Sequence, residues 1–183
     1  MKIRMKTQDV AFPFRMGAGF PGDVNRNHPA SIEPTLIDAS APPTAYGQAV
    51  LVDATTQGVR PLAAADQAGT LIYGVTVRPF PAQASTGGAY GGAAFGSAAP
   101  PVTGEIDVLR SGYIMAQLNT AVTNAVVKGG PVFIWVAATS GAHITGGFEP
   151  VANSTNTMAL DTNKYTYNGT QDANGVVEIC VNI

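Results

Sequence analysis

From Tyr46 onward, the chain consists of short apolar runs in which every second residue is apolar. In the run VVEICVNI, positions 177, 179, 181 and 183 are apolar and would share one face of a strand, and LIYGVTV at 71–77 has the same period. Turn sequences such as TTQG, DQAG, KGG and DANG separate the runs. Only residues 118–127 allow a turn or two of helix, which their β-branched residues disfavour. The sequence therefore predicts an all-β sandwich or a jelly-roll-like barrel.

Residues 1–45 have a different pattern, in which aromatic residues alternate with Pro, Gly and Asn, as in AFPFRMGAGFPG. Prolines spread through this segment interrupt helices and central strands. The segment is nevertheless too apolar to remain a solvated, disordered tail. We expect an extended, irregular N-terminal arm, ordered on a neighbouring surface or on its own domain, followed by a β domain at 46–183.

A long Gly-rich loop is predicted at residues 81–103, inside the β domain. Its core, STGGAYGGAAFGSAAPP, has five glycines, no charge and two aromatic residues. A phosphate-binding loop is excluded because it lacks the required lysine, and because Pro100 and Pro101 would stop a following helix. Glycines let the backbone approach a partner closely, so Tyr90 and Phe95 are predicted to be contact residues.

The low charge of the chain narrows the classes of partner. It carries 10 Lys and Arg against 12 Asp and Glu, and charged residues make up 12% of it, against roughly 25% in a typical soluble domain. The only basic cluster is MKIRMK at 1–6, which is too small for a nucleic-acid site. No apolar run reaches the length of a membrane span. We expect neither nucleic acid nor membrane as a partner, and a weakly charged surface favours permanent contact with protein.

Candidate chemical groups are few and scattered. His28 and His143 lie in turn-like sequence and are expected to be exposed, and Cys180 is the sole cysteine. None has a second ligand at the spacing that a metal site or a nucleophile pair needs. Glu105 and Asp107 would share a strand face, which is a common surface pattern. We therefore predict no catalytic residue, no cofactor and no metal.

The order of the segments is more informative than any single residue. IYGVTV followed by Arg78-Pro79, then DVLRSGYI, KGGPVFI, the turn Gly146-Gly147-Phe148, NTMAL and a final alternating strand follow one another at characteristic spacing. In this order the chain resembles the head decoration, or capsid cement, proteins of tailed bacteriophages. The resemblance covers roughly residues 45–80 and 104–183.

The resemblance implies a structural protein without enzymatic activity. Such a protein is made in the host cytoplasm, binds the outer surface of the expanded head, and clasps neighbouring major capsid protein subunits against the pressure of packaged DNA. It self-associates, with a homotrimer favoured and a homodimer possible. The residues predicted to contact the capsid or another subunit are the aromatic residues of the arm and of the loop: Phe12, Phe14, Phe20, Tyr90 and Phe95.

Two alternatives share the same composition. A phage tail or baseplate structural protein would have the same β-strands and Gly-rich loops. A β-sandwich sugar-binding module or enzyme would need a concave site with converging polar groups, for which Trp135, Glu105 and Asp107 are the candidates. Trp135 lies within the apolar run VFIWVAA, which favours core packing or an interface instead.

Overall fold

The fold consists of β-strands connected by loops. The computed structural model describes residues 19–26, 28–66, 72–79, 99–119 and 126–183. Within these ranges, the only helical element is the 3₁₀ turn Ser154–Asn156, and no helix is long and apolar enough to cross a membrane. The strands are β1 Ser31–Leu36, β2 Ala49–Val52, β3 Val59–Pro61, β4 Gly74–Thr76, β5 Glu105–Gln117, β6 Phe133–Trp135, β7 Phe148–Glu149, β8 Thr157–Ala159, β9 Tyr165–Tyr167 and β10 Val176–Asn182.

The larger sheet is organised around β5. Its strand order is β3-β2-β4-β5-β10-β9, and β1 also pairs with β5. At about 3.3 Å per residue, the 13 residues of β5 span roughly 40 Å. This length lets the first half of β5 pair with β1 and β4, and the second half with β10, all antiparallel. One strand therefore connects the N-terminal segment, the middle of the chain and its C-terminus.

A smaller sheet, in the order β7-β6-β8, packs on the larger one. Ile134 and Phe148 of the small sheet belong to the same buried cluster as Ile114 of β5 and Ile179 of β10, and all four side chains are fully buried. Two antiparallel sheets with a shared apolar core form a sandwich-like arrangement. The prediction of an all-β sandwich is confirmed.

Buried and half-buried residues alternate along β10, as the sequence predicts. Val177, Ile179 and Val181 are buried, whereas Glu178 and Cys180 are half-buried on the opposite face. The hairpin before β10 turns at DANG, where Gly175 has a φ of +78°. Of the segment 118–127, in which the sequence allows a short helix, residues 120–125 lie outside the described residues.

A second buried cluster lies on the other face of the larger sheet. It contains Val50 of β2, Val59 of β3, Val108 of β5 and Ile37, which follows β1. The predicted arm thus contributes β1, and residues 28–45 of it lie on the chain's own domain. The extents of the arm and of the β domain stay a prediction.

The close contact of β4 with β5 gives a test of this sheet. A Cβ at Gly74 would lie 2.4 Å from Leu109 O and 2.4 Å from Val108 Cγ1, so β4 would have to move. We expect Gly74→Ala to lower the free energy of unfolding by about 1–3 kcal/mol, measured by urea denaturation. Gly169→Ala is the matched control, since a Cβ at Gly169 meets nothing within 4 Å. Equal urea midpoints for the two variants would contradict this packing.

Candidate interaction surface

The N-terminal segment is fixed to the larger sheet by backbone hydrogen bonds at one point. Gly22 N donates to Met115 O at 2.7 Å, Met115 N donates to Asp23 O at 2.9 Å, and Arg78 N donates to Gly22 O at 2.9 Å. Gly22 has a φ of +87°, and a Cβ there would lie 2.9 Å from Arg78 N. This close approach requires glycine. Residues 19–26 and His28, which we call the arm root, therefore have a defined position on the domain.

Phe20 lies at the surface beside this point. The guanidinium of Arg78 lies over its ring, 4.6 Å from the centroid, and Arg78 Nη1 is also 3.7 Å from Asp23 Oδ1. Phe20 remains 40% exposed. The cation–π contact orients the ring and leaves apolar area available for another protein. Contact of Phe20 with the capsid stays a prediction.

The rest of the arm root crosses the outer face of β5 and β10. Arg26 donates two hydrogen bonds of 2.7 Å to the carboxylate of Glu178, and its guanidinium lies 4.7 Å from the ring centroid of Tyr113. His28 contacts the same ring edge-on, at 5.3 Å between centroids. His28 is exposed, as the sequence predicts.

The pKa of Glu178 depends on this contact. Partial burial raises the pKa of the carboxyl, but hydrogen bonds from Arg26 and Asn168 and the positive charges of Arg26 and Lys128 together lower it more, so the pKa is below its ordinary value. The lowered pKa indicates that the ionised form of Glu178 is the one that the arm root stabilises.

The flanks of the Gly-rich loop lie next to the arm root. The described chain stops at Pro79 and resumes at Ala99. A cavity of about 260 Å³ is lined by residues from both flanks, from the arm root and from the ends of β2, β5 and β7, including Pro21, Tyr46, Arg78, Ala99, Gln117 and Asn119. The two segments that the sequence predicts to contact other proteins therefore leave the domain close together. Phe12, Phe14, Tyr90 and Phe95 themselves lie outside the described residues.

The residues considered for a sugar site do not come together. Trp135 is buried in β6, with its indole stacked on the His143 ring at 4.1 Å between centroids. Glu105 and Asp107 are exposed on β5, as the alternation predicts. They line a groove that contains no part of Trp135.

The expectation that His143 is exposed is wrong. Its Nδ1 lies 2.7 Å from Glu149 Oε1, and Glu149 is almost completely buried. Asn119 Nδ2 donates to the same carboxylate oxygen at 2.8 Å, and Tyr167 OH donates to Glu149 O at 2.8 Å. The His143 and Asn119 contacts satisfy the buried carboxylate of Glu149, and the Tyr167 hydroxyl satisfies its main-chain carbonyl. In the part of the chain that the structure describes, no three metal-ligating side chains lie together.

No local sequence pattern indicates the arm-root contacts with β10. Arg26 and Glu178 are 152 residues apart, so no local spacing relates them. The only available signal was the alternation in β10, which placed Glu178 on the outer face of the sheet. A cation can reach the carboxylate there.

The family of this chain follows from comparison with known proteins. The family model described as XM1 gp53 minor capsid protein matches residues 10–181. A solved chain from "The capsid of Myoviridae Phage XM1" superposes with a TM-score of 0.60 and 19% identity, over 88% of this chain and 89% of that chain. At this identity, the structural likeness shows the fold alone. No curated protein matches the chain.

The lowered pKa of Glu178 makes attachment of the arm root dependent on pH. The ion pair stabilises the folded state fully above the pKa of an unperturbed glutamate, about 4.3, and this contribution is lost as the pH falls through the lower folded-state pKa. We expect a carboxyl NMR titration of Glu178 to have its midpoint below that of a free glutamate. Arg26→Met should raise this midpoint, whereas Lys164→Met, which removes a cation that does not act on Glu178, should leave it unchanged. A midpoint insensitive to Arg26→Met would contradict the ion pair.

Proposed function

Because this chain belongs to the XM1 gp53 minor capsid protein family, it is a structural protein of a phage capsid, and we propose that it acts there as a decoration, or cement, protein. In this role it binds the outer surface of the expanded head, bridges neighbouring major capsid protein subunits, and holds the shell against the pressure of packaged DNA. It catalyses no reaction. The virion location follows from the family, and the outer surface is part of the proposal.

The observation that best supports this role is the position of the arm root beside the loop flanks. A bridging protein needs segments that cross to a neighbouring subunit and bury apolar side chains there. Here Arg78 contacts Phe20 of the arm root through its guanidinium and lies one residue before Pro79, at the start of the loop flank. Both extensions leave the domain from the same rigid region, so less conformational entropy is lost when both bind one partner.

We propose that the aromatic side chains of these extensions provide the contact area: Phe12, Phe14 and Phe20 from the arm, and Tyr90 and Phe95 from the loop. Aromatic residues contribute large apolar area at the centre of protein interfaces. An interface of standard size buries about 1,600 Å² in total, which a single loop rarely supplies. Two adjacent extensions make that area attainable for a domain of this size.

Self-association would multiply the strength of attachment. We propose a homotrimer, with a homodimer as the second possibility, in which each copy contributes its own extensions. Binding of one copy raises the effective concentration of the others at the shell, so weak individual contacts give strong attachment. The net charge of only −2 keeps repulsion low among the many copies on one shell.

The family match favours the head over the tail or baseplate, which was the first alternative from the sequence. The second alternative, a sugar-binding module or enzyme, would need Trp135 near Glu105 and Asp107. The buried, stacked position of Trp135 disfavours that site.

Addition of purified protein to expanded heads that lack it tests the proposal. We expect saturable binding to the heads and a higher temperature of DNA release, since bridged subunits resist internal pressure. The measurements are quantitative gel analysis of purified particles and heating followed by nuclease digestion. Absence of binding would overturn the decoration role.

The contribution of the arm is tested with a chain that lacks residues 1–18, which retains the arm root. We expect its binding to heads to fall at least about tenfold, because one of two linked contacts is lost, while its thermal unfolding stays that of the full chain. Phe12→Ser/Phe14→Ser should have a similar effect. Val151→Ser, which changes an exposed apolar residue away from the arm root, is the matched control. Unchanged binding of the truncated chain would exclude the arm as a contact segment.

A further inference from the structure

Charge is distributed unequally along this chain. Residues 1–18 contain four basic residues and one acidic residue, whereas the remainder contains six basic and eleven acidic residues. The N-terminal segment therefore has a net charge of +3 and the remainder −5, which together give the formal −2. A basic segment attached to an acidic domain predicts an electrostatic attraction between them.

The basic residues at the N-terminus also alternate with apolar ones. In MKIRMK, Lys2, Arg4 and Lys6 occupy even positions, and Met1, Ile3 and Met5 occupy odd positions. In an extended conformation, the basic side chains project to one side and the apolar ones to the other, repeating at about 6.6 Å.

A surface with the complementary pattern lies on β1 and β5. Along β1, Ile32, Pro34 and Leu36 share one face, with Ile32 42% and Leu36 57% exposed. Leu36 is paired with Glu105 and Pro34 with Asp107, so an acidic row runs beside the apolar row on the same face. Both rows repeat at the same two-residue strand interval. We call these five residues the acidic strip.

The acidic strip borders a groove between the two loop flanks. Pro34, Glu105 and Asp107 line it together with Pro79 and Pro101. Its position places any bound segment next to the two flanks of the Gly-rich loop.

The carboxylates of the acidic strip have no ion-pair partner among the described residues. The arginines of the domain are already engaged elsewhere: Arg26 with Glu178, Arg60 with Asp53 and Asp66, Arg78 with Asp23, and Arg110 over the ring of Tyr73. Both carboxylates of the strip are therefore open to an incoming cation.

The backbone of β1 determines how a segment can bind there. Ile37 N donates to Gly104 O, towards β5, and Asp38 N donates to Val59 O, on the other side. The backbone polar groups of successive residues in a strand point to opposite sides, so those of Pro34 point away from β5. Proline has no N–H, and this outer edge of β1 therefore lacks a donor at residue 34. Addition of a continuous strand at this edge is disfavoured, so side-chain contacts must hold the segment.

We propose that the acidic strip binds residues 1–6 of a second copy of this chain. The segment lies between the two rows, with Lys2 and Arg4 directed at Glu105 and Asp107, and with its apolar side chains on the β1 row. The inference rests on the self-association included in the proposed function, and it specifies the contact that joins the copies.

A second copy fits better than the chain's own N-terminus. The arm root is fixed beside Arg78 and hence next to the groove, so binding within one chain would require residues 7–18 to fold back over a short distance. Pro13 favours extended backbone on its N-terminal side, and 18 extended residues reach about 60 Å. Since each copy has one basic segment and one acidic strip, the contact can repeat from copy to copy, and in a closed ring such as a trimer every segment and every strip is occupied.

Charge reversal in the full-length chain, without heads, tests the contact. We expect E105K/D107K, and separately K2E/R4E/K6E, to weaken self-association by about tenfold or more in sedimentation velocity, and their combination to restore it. K128E/K164E, which reverses cations outside the arm, should leave self-association unchanged. Circular dichroism checks that each variant is folded. Failure of the combined variant to recover, or no loss in either separate variant, would overturn the proposal.

Zero-length carbodiimide cross-linking of mixed light and heavy isotope-labelled chains identifies the source of the segment. We expect cross-links from Lys2 or Lys6 to Glu105 or Asp107 that combine light and heavy peptides. Same-isotope peptides alone would indicate binding within one chain and would overturn the role of a second copy, as would the absence of these cross-links. Because heads are not used, these outcomes are independent of binding to the capsid.

Discussion

Antiparallel hydrogen bonding along β5 is the constraint on which the rest of the structure depends. Its first half pairs with β1 and β4, and its second half with β10 and with the Gly22–Asp23 backbone. Each unpaired backbone group in the core would cost free energy comparable to a lost hydrogen bond, so all these segments must be in place together. The position of the arm root is thereby coupled to the integrity of the core.

This coupling bears on how an arm can transmit force. Tension on an extension is transmitted through its attachment to the domain, and here three backbone hydrogen bonds tie residues 22 and 23 to Met115 and Arg78. The Arg26–Glu178 ion pair and the stacking on Tyr113 add contacts further along. The proposed bridging role needs such a junction, because tension on the extension acts first where the extension joins the domain.

Charged residues make up only 12% of this chain. Arginines of the domain hold the arm root and the loops in place, and in our proposal the carboxylates of the acidic strip and the basic N-terminus join neighbouring copies. In the same proposal, the apolar extensions contact the capsid. One chain can in this way use electrostatic contacts for self-association and aromatic contacts for attachment.

The sequence by itself determined the strands with clear apolar alternation, such as β10, and their buried faces, but not β1, which lies in the segment predicted to be an irregular arm. Side-chain direction in a strand alternates by local geometry, so Ile179 could be placed inside and Glu178 outside without knowledge of any neighbour. It also located the turns and the exposed pair Glu105 and Asp107. The partners of the strands, the contact between residues 26 and 178, and the juxtaposition of arm root and loop flanks were decided only by the tertiary structure. Hydrogen bonds and ion pairs between distant segments have no local sequence code, because they depend on which strands pair once the whole core has closed.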